Sequence, residues 1–328
     1  MSSIASPDVS PADIPVDPRS PLSGPPVVTL HGARYWYKWY GTVRLCRKMR
    51  RVHPHPTAAL RTRMAALAPV RKPVFILGCP RSGTTFLGEV LEHLPSASYF
   101  FEPPLLKYYT RLIYQHQISL AHARRVYRAC FRTLLLGAPG NGRRVIEKNP
   151  NHTWIAGTLR AIFPDARFII LTRDGRDTAL SLMNKPWHLQ ESQGSGRREP
   201  GGYLEGPHPH FYIEPERAAE FAATSNLHRC IWIWRRHTEQ IEKLRESLPD
   251  DCQFHLRYET LIRQPEETVS RMLDFLGETD PESQHRVAEA ARQARDTSIG
   301  RWQKRMSLND LEVVTREAGP LMERLGYT

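Results

Sequence analysis

An apolar strand that leads through a short glycine-bounded turn into a helix limits the folds open to this 328-residue chain more than any other segment. Residues 74–77 read Val-Phe-Ile-Leu, residues 78–83 read Gly-Cys-Pro-Arg-Ser-Gly, and two threonines follow. Successive backbone N–H groups of such a turn point into one concavity, and the helix N-terminus adds its positive dipole end. The segment therefore predicts an anion-binding loop at the end of a buried strand.

The spacing of this loop is Gly-x-x-x-x-Gly-x-Thr, which is the spacing of the nucleoside-triphosphate P-loop. The lysine that a P-loop uses for the β- and γ-phosphates is missing, because Thr84 stands in its place. Arg81 supplies a cation inside the loop instead. We therefore expect the loop to bind an anion, but not ATP.

Residues 80–85, Pro-Arg-Ser-Gly-Thr-Thr, resemble the 5′-phosphosulfate loop of sulfotransferases that use 3′-phosphoadenosine 5′-phosphosulfate (PAPS). The resemblance extends over roughly residues 72–325. It implies a P-loop-like sulfotransferase fold, PAPS as co-substrate and 3′,5′-ADP as product. It also implies that the 5′-phosphate and the sulfate are held by Arg81, Ser82, Gly83, Thr84 and Thr85.

A second apolar strand, at 168–172, is followed by Arg-Asp-Gly-Arg-Asp at 173–177. Asp174 can cap the next helix, and Arg173 and Ser181 can both face a phosphate over the sheet edge. The pattern resembles the 3′-phosphate motif of the same family, which implies that Arg173 and Ser181 bind the 3′-phosphate of PAPS. A planar guanidinium suits this task because it pairs with two phosphate oxygens at once.

Two further segments resemble nucleotide-binding elements of the family. Tyr258 ends a predicted strand, like the family tyrosine that lies against the adenine; a tyrosine that simply packs at a strand end is the alternative. Residues 297–304 resemble the C-terminal loop that folds over the 3′-phosphate and adenine, with Ser298 and Arg301 as donors. The Arg-Lys-Gly run that cytosolic members carry before this glycine is absent.

Sulfuryl transfer is an in-line displacement that needs charge neutralised on oxygens and a proton taken from the acceptor. The transferred group carries less charge than a phosphoryl group, so side-chain cations can replace a metal ion, and no metal is expected. Arg81 is the first candidate cation. Lys148 is the second, because it ends a predicted strand at the same sheet edge as both phosphate motifs.

A carboxylate is the expected catalytic base. Family members that sulfate phenols and steroids carry Lys-x-His, but residue 150 is proline here, and the protein-tyrosine and polysaccharide branches use a glutamate instead. Glu102 occupies the corresponding region, between a short strand and two prolines. Partial burial there predicts a raised pKa for Glu102 and a role as base. A surface glutamate, or an ion-pair partner for Arg81, is the alternative.

Single histidines near helices are usually structural or solvated. We interpret five of them in this way: His93, His116, His122, His152 and His188. His152 is kept as a reserve base because it lies nearest to Lys148 in the sequence.

From residue 72 onward β and α elements alternate, which predicts an α/β fold with a mostly parallel central sheet and helices on both faces. A sulfotransferase domain is thus expected over 72–328. Residues 186–215 lack periodicity and are interpreted as a lid over the acceptor. Strands are predicted near 74–78, 98–101, 143–147, 168–172 and 253–258, and helices near 84–94, 105–136, 152–163, 175–184 and 216–247.

The N-terminal residues differ in composition from the rest. Residues 1–28 are rich in Pro, Ser and Asp and are predicted to be disordered. Residues 29–71 form a basic aromatic helical segment, whose part 34–51 either packs on the core or lies on an anionic membrane surface. A secretory signal and an apolar run long enough to span a membrane are both missing, so a cytoplasmic protein is expected, with peripheral membrane contact as the alternative.

Composition limits the partners. A formal net charge of +12 favours anionic ligands. The sequence has no helix-turn-helix, zinc-finger or RNA-binding signature, so no nucleic-acid partner is expected. Five cysteines without a Cys-x-x-Cys pair predict neither a disulfide framework nor a zinc site.

Three classes of function remain open. The leading hypothesis is a metal-independent PAPS sulfotransferase whose acceptor is a hydroxyl of a carbohydrate, glycolipid or other hydroxylated metabolite. A P-loop kinase-like phosphotransferase would require Mg²⁺-ATP, which the missing lysine disfavours. A non-catalytic nucleotide-binding module is the third class. The sequence does not indicate an oligomeric state.

Overall fold

The computed structural model describes residues 70–136, 144–199, 202–293 and 296–327. Within these ranges five strands form one sheet in the order β2-β3-β1-β4-β5, and every pairing is parallel. The predicted α/β class is confirmed. The predicted tail at 1–28 and membrane segment at 34–51 lie outside the described residues. The strands are β1 (Val74–Gly78), β2 (Ala97–Phe101), β3 (Arg144–Lys148), β4 (Arg167–Thr172) and β5 (Gln253–Arg257).

The helices of the described ranges flank this sheet. None of them is long and apolar enough to cross a membrane. In chain order they are α1 (Thr84–Leu91), α2 (Pro104–Tyr114), α3 (Leu120–Leu136), α4 (Ala156–Ile162), α5 (Gly175–Leu182), α6 (Ala218–Ala223), α7 (Asn226–Ser247), α8 (Tyr258–Arg263), α9 (Pro265–Leu276), α10 (Pro281–Arg292), α11 (Trp302–Arg305) and α12 (Leu308–Arg324). Short 3₁₀ turns lie at Pro150–Ile155, Pro186–His188, Gln190–Ser192, Pro215–Arg217, Asp250–Cys252 and Asp296–Ser298.

Three predicted helices were wrong in extent. The segment 105–136 is two helices, because His116 adopts a left-handed φ of 54° and ends the first. The segment 216–247 breaks before Ser225, whose side chain caps α7 by accepting from the His228 N–H. The segment 152–163 begins as a 3₁₀ turn at Pro150 and becomes α-helical only at Ala156.

The central strand β1 is buried on both faces, as expected for a parallel sheet covered by helices. Val74 and Ile76 pack into one core with helices α1, α9 and α10. Phe75, which points to the opposite face, contacts the rings of Phe131 and Phe163 from the other side of the sheet. The sheet is thereby fixed between two helical layers.

The carboxyl ends of parallel strands meet at one edge of a sheet, where ligands bind in open α/β folds. Each strand of this sheet delivers a predicted site residue at or just beyond that end. The order of the strands therefore brings together segments that are far apart in the sequence. Along the chain these are the predicted phosphate loop (residues 78–85) after β1, Glu102 after β2, Lys148 at the end of β3, Arg173 after β4 and Tyr258 after β5.

Candidate active site

The loop between β1 and α1 is shaped by backbone conformations that few residues tolerate. Gly78 and Gly83 have φ of 151° and 99°, and Arg81 adopts a left-handed φ of 71°. The Ser82 hydroxyl and N–H both donate to the Cys79 carbonyl, at 2.6 and 3.2 Å. Ser82 therefore braces the turn from inside. Thr84, which is buried, and Thr85, which is half-buried, are the first two residues of α1.

Arg81 and Arg173 lie together at this loop. Arg81 Nε donates to Ser181 Oγ at 3.3 Å, and Arg173 Nη1 donates to the Arg81 carbonyl at 3.3 Å. Burial and the nearby Arg173 lower the pKa of Arg81, while Glu102 opposes the shift. Two neighbouring guanidiniums repel each other, so an anion bound between them is favoured.

Tyr258 joins the phosphate loop to the C-terminal loop. Its ring lies against Gly83, where an added Cβ would come within 2.3 Å of Cδ2. Its hydroxyl is 2.8 Å from Ser298 Oγ, and the Arg173 guanidinium lies 4.4 Å from the ring centre. The structure therefore brings three predicted nucleotide-binding residues into contact with a fourth, Tyr258.

Arg173, the predicted ligand of the 3′-phosphate, is held on two sides by the protein. Its Nη2 donates to the Ser298 carbonyl at 2.5 Å, and its own carbonyl accepts from Trp234 Nε1 at 2.9 Å. Its Nε is buried and has no hydrogen-bond partner among the described residues. A buried donor without a partner is costly, and an anionic ligand would satisfy it.

Asp177 is a residue that the sequence analysis missed. Its carboxylate accepts from the N–H of Gly300 at 2.7 Å and from the N–H of Trp302 at 3.1 Å. It lies four residues before Ser181, which puts both on one face of α5 and is a signal that sequence periodicity could have supplied. Asp177 thereby fixes the C-terminal loop beside the predicted 3′-phosphate residues. Within that loop Arg301 is half-buried.

The second group at this edge is built around Glu102. Its φ of 37° is unusual for a residue with a Cβ, and its N–H donates to the Lys148 carbonyl at 2.9 Å. Its two carboxylate oxygens pair with Lys148 Nζ at 2.5 Å and with Lys107 Nζ at 3.1 Å. Lys148 Nζ also lies 3.9 Å from the Phe101 ring centre.

The predicted raised pKa of Glu102 was wrong. Burial on its own would raise it, but the ammonium groups of Lys107 and Lys148 outweigh burial and hold the pKa of Glu102 below its ordinary value. The alternative partner, Arg81, makes no ion pair with Glu102 in the described structure. The carboxylate is consequently ionised at neutral pH and able to accept a proton. Burial lowers the pKa of Lys148, and Glu102 opposes that shift.

His152, the reserve base, is occupied elsewhere. Its side chain is fully buried, and its two ring nitrogens lie 2.8 Å from Glu147 Oε2 and 2.9 Å from the Tyr127 hydroxyl. Glu147 is likewise fully buried, and its Oε2 is the partner of His152 Nδ1. The interpretation of His152 as a structural histidine fits these contacts.

The predicted lid at 186–215 has more structure than its composition suggested. It contains two 3₁₀ turns and an antiparallel bridge between Arg198 and Leu204. His188 and His210 are buried with ring centres 4.4 Å apart, and burial lowers the pKa of both well below the ordinary value. The predicted lid also contains Glu199, whose carboxylate lies 3.9 Å from Lys107 Nζ. Neither Lys107 nor Glu199 was identified from the sequence, because the contact between them depends on tertiary packing alone.

Comparisons with known proteins agree with this geometry. A sequence model described as the sulfotransferase family matches residues 73–199 and 214–282, which is more than half of the chain. Nodulation protein NoeE of Sinorhizobium fredii (strain NBRC 101917 / NGR234) is 29% identical over 127 residues. That match covers 33% of this chain and only 30% of the length of NoeE.

Solved structures give distant likenesses. Sulfotransferase STF9 from Mycobacterium avium is 19% identical, with a TM-score of 0.47 over 92% of this chain and 87% of that one. The sulfotransferase domain from the curacin biosynthetic pathway is 18% identical, with a TM-score of 0.45 over 80% of this chain and 99% of that one. Because these likenesses are weak, the family match and the parallel sheet establish the assignment. The predictions of the sulfotransferase family and of a parallel α/β fold are confirmed, and the chain belongs to the sulfotransferase family.

Proposed function

We propose that this protein transfers the sulfuryl group of PAPS to a hydroxyl of a carbohydrate, glycolipid or other hydroxylated metabolite. One observation carries the proposal: the nucleotide-binding residues and the Glu102–Lys148 pair emerge at the same edge of the same sheet. A phosphate-binding loop alone would fit many nucleotide enzymes. A buried carboxylate–ammonium pair beside it adds the groups that proton transfer and charge neutralisation require.

The donor is inferred from the anion sites. Arg81 and the backbone of the phosphate loop would hold the 5′-phosphate and sulfate, and Ser82, Gly83, Thr84 and Thr85 belong to the same cradle. Arg173, with its unpartnered Nε, would hold the 3′-phosphate together with Ser181. Ser298 and Arg301 would close over the nucleotide, and Tyr258 would lie beside the adenine. PAPS carries anionic groups at the 3′ and 5′ positions of one ribose, and the two neighbouring cations Arg81 and Arg173 can neutralise both.

The reaction follows from the second group of residues. The acceptor oxygen attacks sulfur, the bond between sulfur and the 5′-phosphate oxygen breaks, and 3′,5′-ADP leaves. Glu102 takes the acceptor proton, while Arg81 and Lys148 neutralise charge on the transferring and leaving oxygens. In the structure one carboxylate oxygen of Glu102 pairs with the ammonium group of Lys107 and the other with that of Lys148. One of these contacts must therefore lengthen before Glu102 can accept the proton. Lys148 is the candidate, because it is also needed at the leaving oxygen.

The other two functional classes make different predictions. A kinase-like phosphotransferase would bind Mg²⁺-ATP, but Thr84 replaces the required lysine. A non-catalytic module would tolerate the loss of Glu102. Metal independence, a cytoplasmic location and peripheral membrane contact through 34–51 stay predictions, and chelation by EDTA tests the first of them.

Thermal unfolding with candidate ligands tests the donor. Ligand binding stabilises the native state by RT ln(1 + [L]/Kd), about 2.7 kcal/mol when the ligand is at 100 times Kd. We expect 3′,5′-ADP to raise the unfolding temperature more than 5′-AMP or Mg²⁺-ATP does. Arg173→Ala should remove the advantage over 5′-AMP. Stabilisation by Mg²⁺-ATP alone would overturn the proposed donor.

The base is tested separately. Glu102→Gln keeps the shape of the side chain but removes its ability to accept a proton. We expect this variant to bind 3′,5′-ADP normally and to release it from PAPS about 10²–10⁴ times more slowly than the wild type. Normal turnover in this variant would refute Glu102 as the base without affecting the assignment of the donor.

A further inference from the structure

Lys107 occupies a position that is unfavourable for a cation in two respects. It lies near the start of α2, where the helix dipole repels positive charge, and only 10% of its side chain is exposed. Buried charges persist when they are paired. Lys107 has two carboxylate partners, Glu102 at 3.1 Å and Glu199 at 3.9 Å. Burial on its own would lower the pKa of Lys107, but Glu199 and Glu102 together hold it above its ordinary value.

Glu199 reaches Lys107 from the lid. Its side chain is only 6% exposed, and its Oε1 has no hydrogen-bond partner among the described residues. Its other neighbour is His210, whose Nδ1 is 3.8 Å away. Burial, followed by the charge of Lys107, lowers the pKa of His210, so this imidazole is neutral at neutral pH. Lys107 is therefore the cation that compensates Glu199.

We propose that Lys107 and Glu199 are positioning residues for the catalytic base, so that the seating of the lid sets the orientation and charge of Glu102. The contacts run in sequence from Glu199 on the lid to Lys107 on α2 and from Lys107 to the Glu102 carboxylate. The inference rests on the proposed function in which Glu102 is the base. It extends that function by linking the segment expected to cover the acceptor to the group expected to deprotonate it.

The charges around Glu102 determine how this link is detected. Lys148 faces it from β3, Lys107 from α2, Tyr99 from β2 and Arg81 from the phosphate loop. Removing Lys107 takes away one of two paired cations. Removing Glu199 takes away an anion and leaves Lys107 to Glu102 alone. The two changes should therefore move the pKa of Glu102 in opposite directions.

The experiment is a pH titration of the protein with ¹³C-labelled glutamate carboxyl groups, carried out with 3′,5′-ADP present. The Glu102 signal is identified by its loss in Glu102→Gln. We expect Lys107→Met to raise the pKa of Glu102 by about 1–3 units, the usual effect of a close opposite charge. Glu199→Gln should lower it by a smaller amount. Because glutamine is nearly isosteric with glutamate, Glu199→Gln still tests the proposal if Lys107→Met does not fold.

The matched control is Glu278→Gln. It breaks an ion pair of similar exposure, Arg144–Glu278 at 2.8 Å, and Arg144 begins β3 at the opposite edge of the sheet. This variant should leave the Glu102 titration unchanged. A Glu102 pKa in Glu199→Gln equal to that of Glu278→Gln would overturn the coupling.

Failure of the coupling is distinct from failure of the proposed base. The titration requires no turnover, so it reports the link between lid and Glu102 whichever residue deprotonates the acceptor. The base is judged by the release of 3′,5′-ADP from PAPS in Glu102→Gln. If Lys107→Met and Glu199→Gln shift the pKa of Glu102 in opposite directions but Glu102→Gln turns over normally, the link between lid and Glu102 stands. Its role in positioning a base is then refuted.

Discussion

Replacing Gly83 with alanine tests whether the phosphate loop depends on its close packing against Tyr258, on the predicted adenine side of the site. Gly83 has a φ of 99°, and an added Cβ would lie 2.3 Å from Cδ2 and 2.6 Å from Cε2 of Tyr258. The Tyr258 ring is held by Ser298 at 2.8 Å and faced by the Arg173 guanidinium at 4.4 Å. The ring cannot move aside without disturbing both contacts.

The expected cost has two parts. A left-handed backbone costs a residue with a Cβ about 1–2 kcal/mol, and overpacking a filled site adds about 1–3 kcal/mol. Gly83→Ala should therefore lower the free energy of unfolding by about 2–5 kcal/mol in all, and it should weaken the binding of 3′,5′-ADP. Gly277→Ala is the matched control, because Gly277 has a φ of 75° and no atom lies within 4 Å of an added Cβ. It should show the backbone cost alone.

Urea unfolding measures the stability of both variants, and titration calorimetry measures their affinity for 3′,5′-ADP. Tyr258→Ala in the Gly83→Ala background should recover part of the lost stability, because it removes the ring that the new methyl group meets. If Gly83→Ala costs no more than Gly277→Ala and binds 3′,5′-ADP as tightly as the wild type, the idea that Tyr258 constrains the loop is refuted.

Two further predictions concern the C-terminal loop and the buried histidines. In Asp177→Asn only one of the two N–H donors of Gly300 and Trp302 keeps a good acceptor, and leaving a buried donor unpaired costs about 1–3 kcal/mol. Calorimetry should show affinity for 3′,5′-ADP weakened by up to about 150-fold, because the loop expected to close over the nucleotide loses one of its two anchors. Unchanged affinity would contradict the role of Asp177. Burial lowers the pKa of His237 from 6.5 to about 4, so below pH 6.5 the unfolded chain binds a proton that the folded chain rejects. Stability should therefore fall as the pH drops from 6.5 to 4, by about 3 kcal/mol from this residue. His237→Gln should flatten the curve of unfolding temperature against pH. A curve identical to that of the wild type would show that His237 does not cause the loss of stability at low pH.

Local sequence patterns were sufficient for the elements at the site. The apolar run before Gly78 and the pair of glycines predict a strand, a turn and a helix, and the structure has all three. The same holds for the strand before Arg173 and for the helix α5 that follows it, which Asp174 caps as predicted. Such signals survive because a buried strand in a parallel sheet is apolar throughout and because turns need particular residues.

Long helices were predicted less well. A break in a helix depends on one residue, such as the left-handed His116 or the capping Ser225, while the hydrophobic pattern continues on both sides. The sequence pattern of the predicted lid at 186–215 is equally uninformative. The buried His188 and His210 lie in a segment rich in Pro, Gly and charge, and their burial becomes visible only once the segment packs on the domain.

The phosphate loop, the parallel α/β class and the family could all be predicted from the sequence, because each is encoded within a contiguous segment or in the alternation of segments. The surroundings of the Glu102 carboxylate became visible only once the chain was folded. Lys107 is five residues from Glu102 and Lys148 is 46 residues away, yet their ammonium groups pair with its two carboxylate oxygens and set the sign of its pKa shift. Electrostatic interaction depends on distance in space and on burial, and neither can be read from the order of residues along the chain.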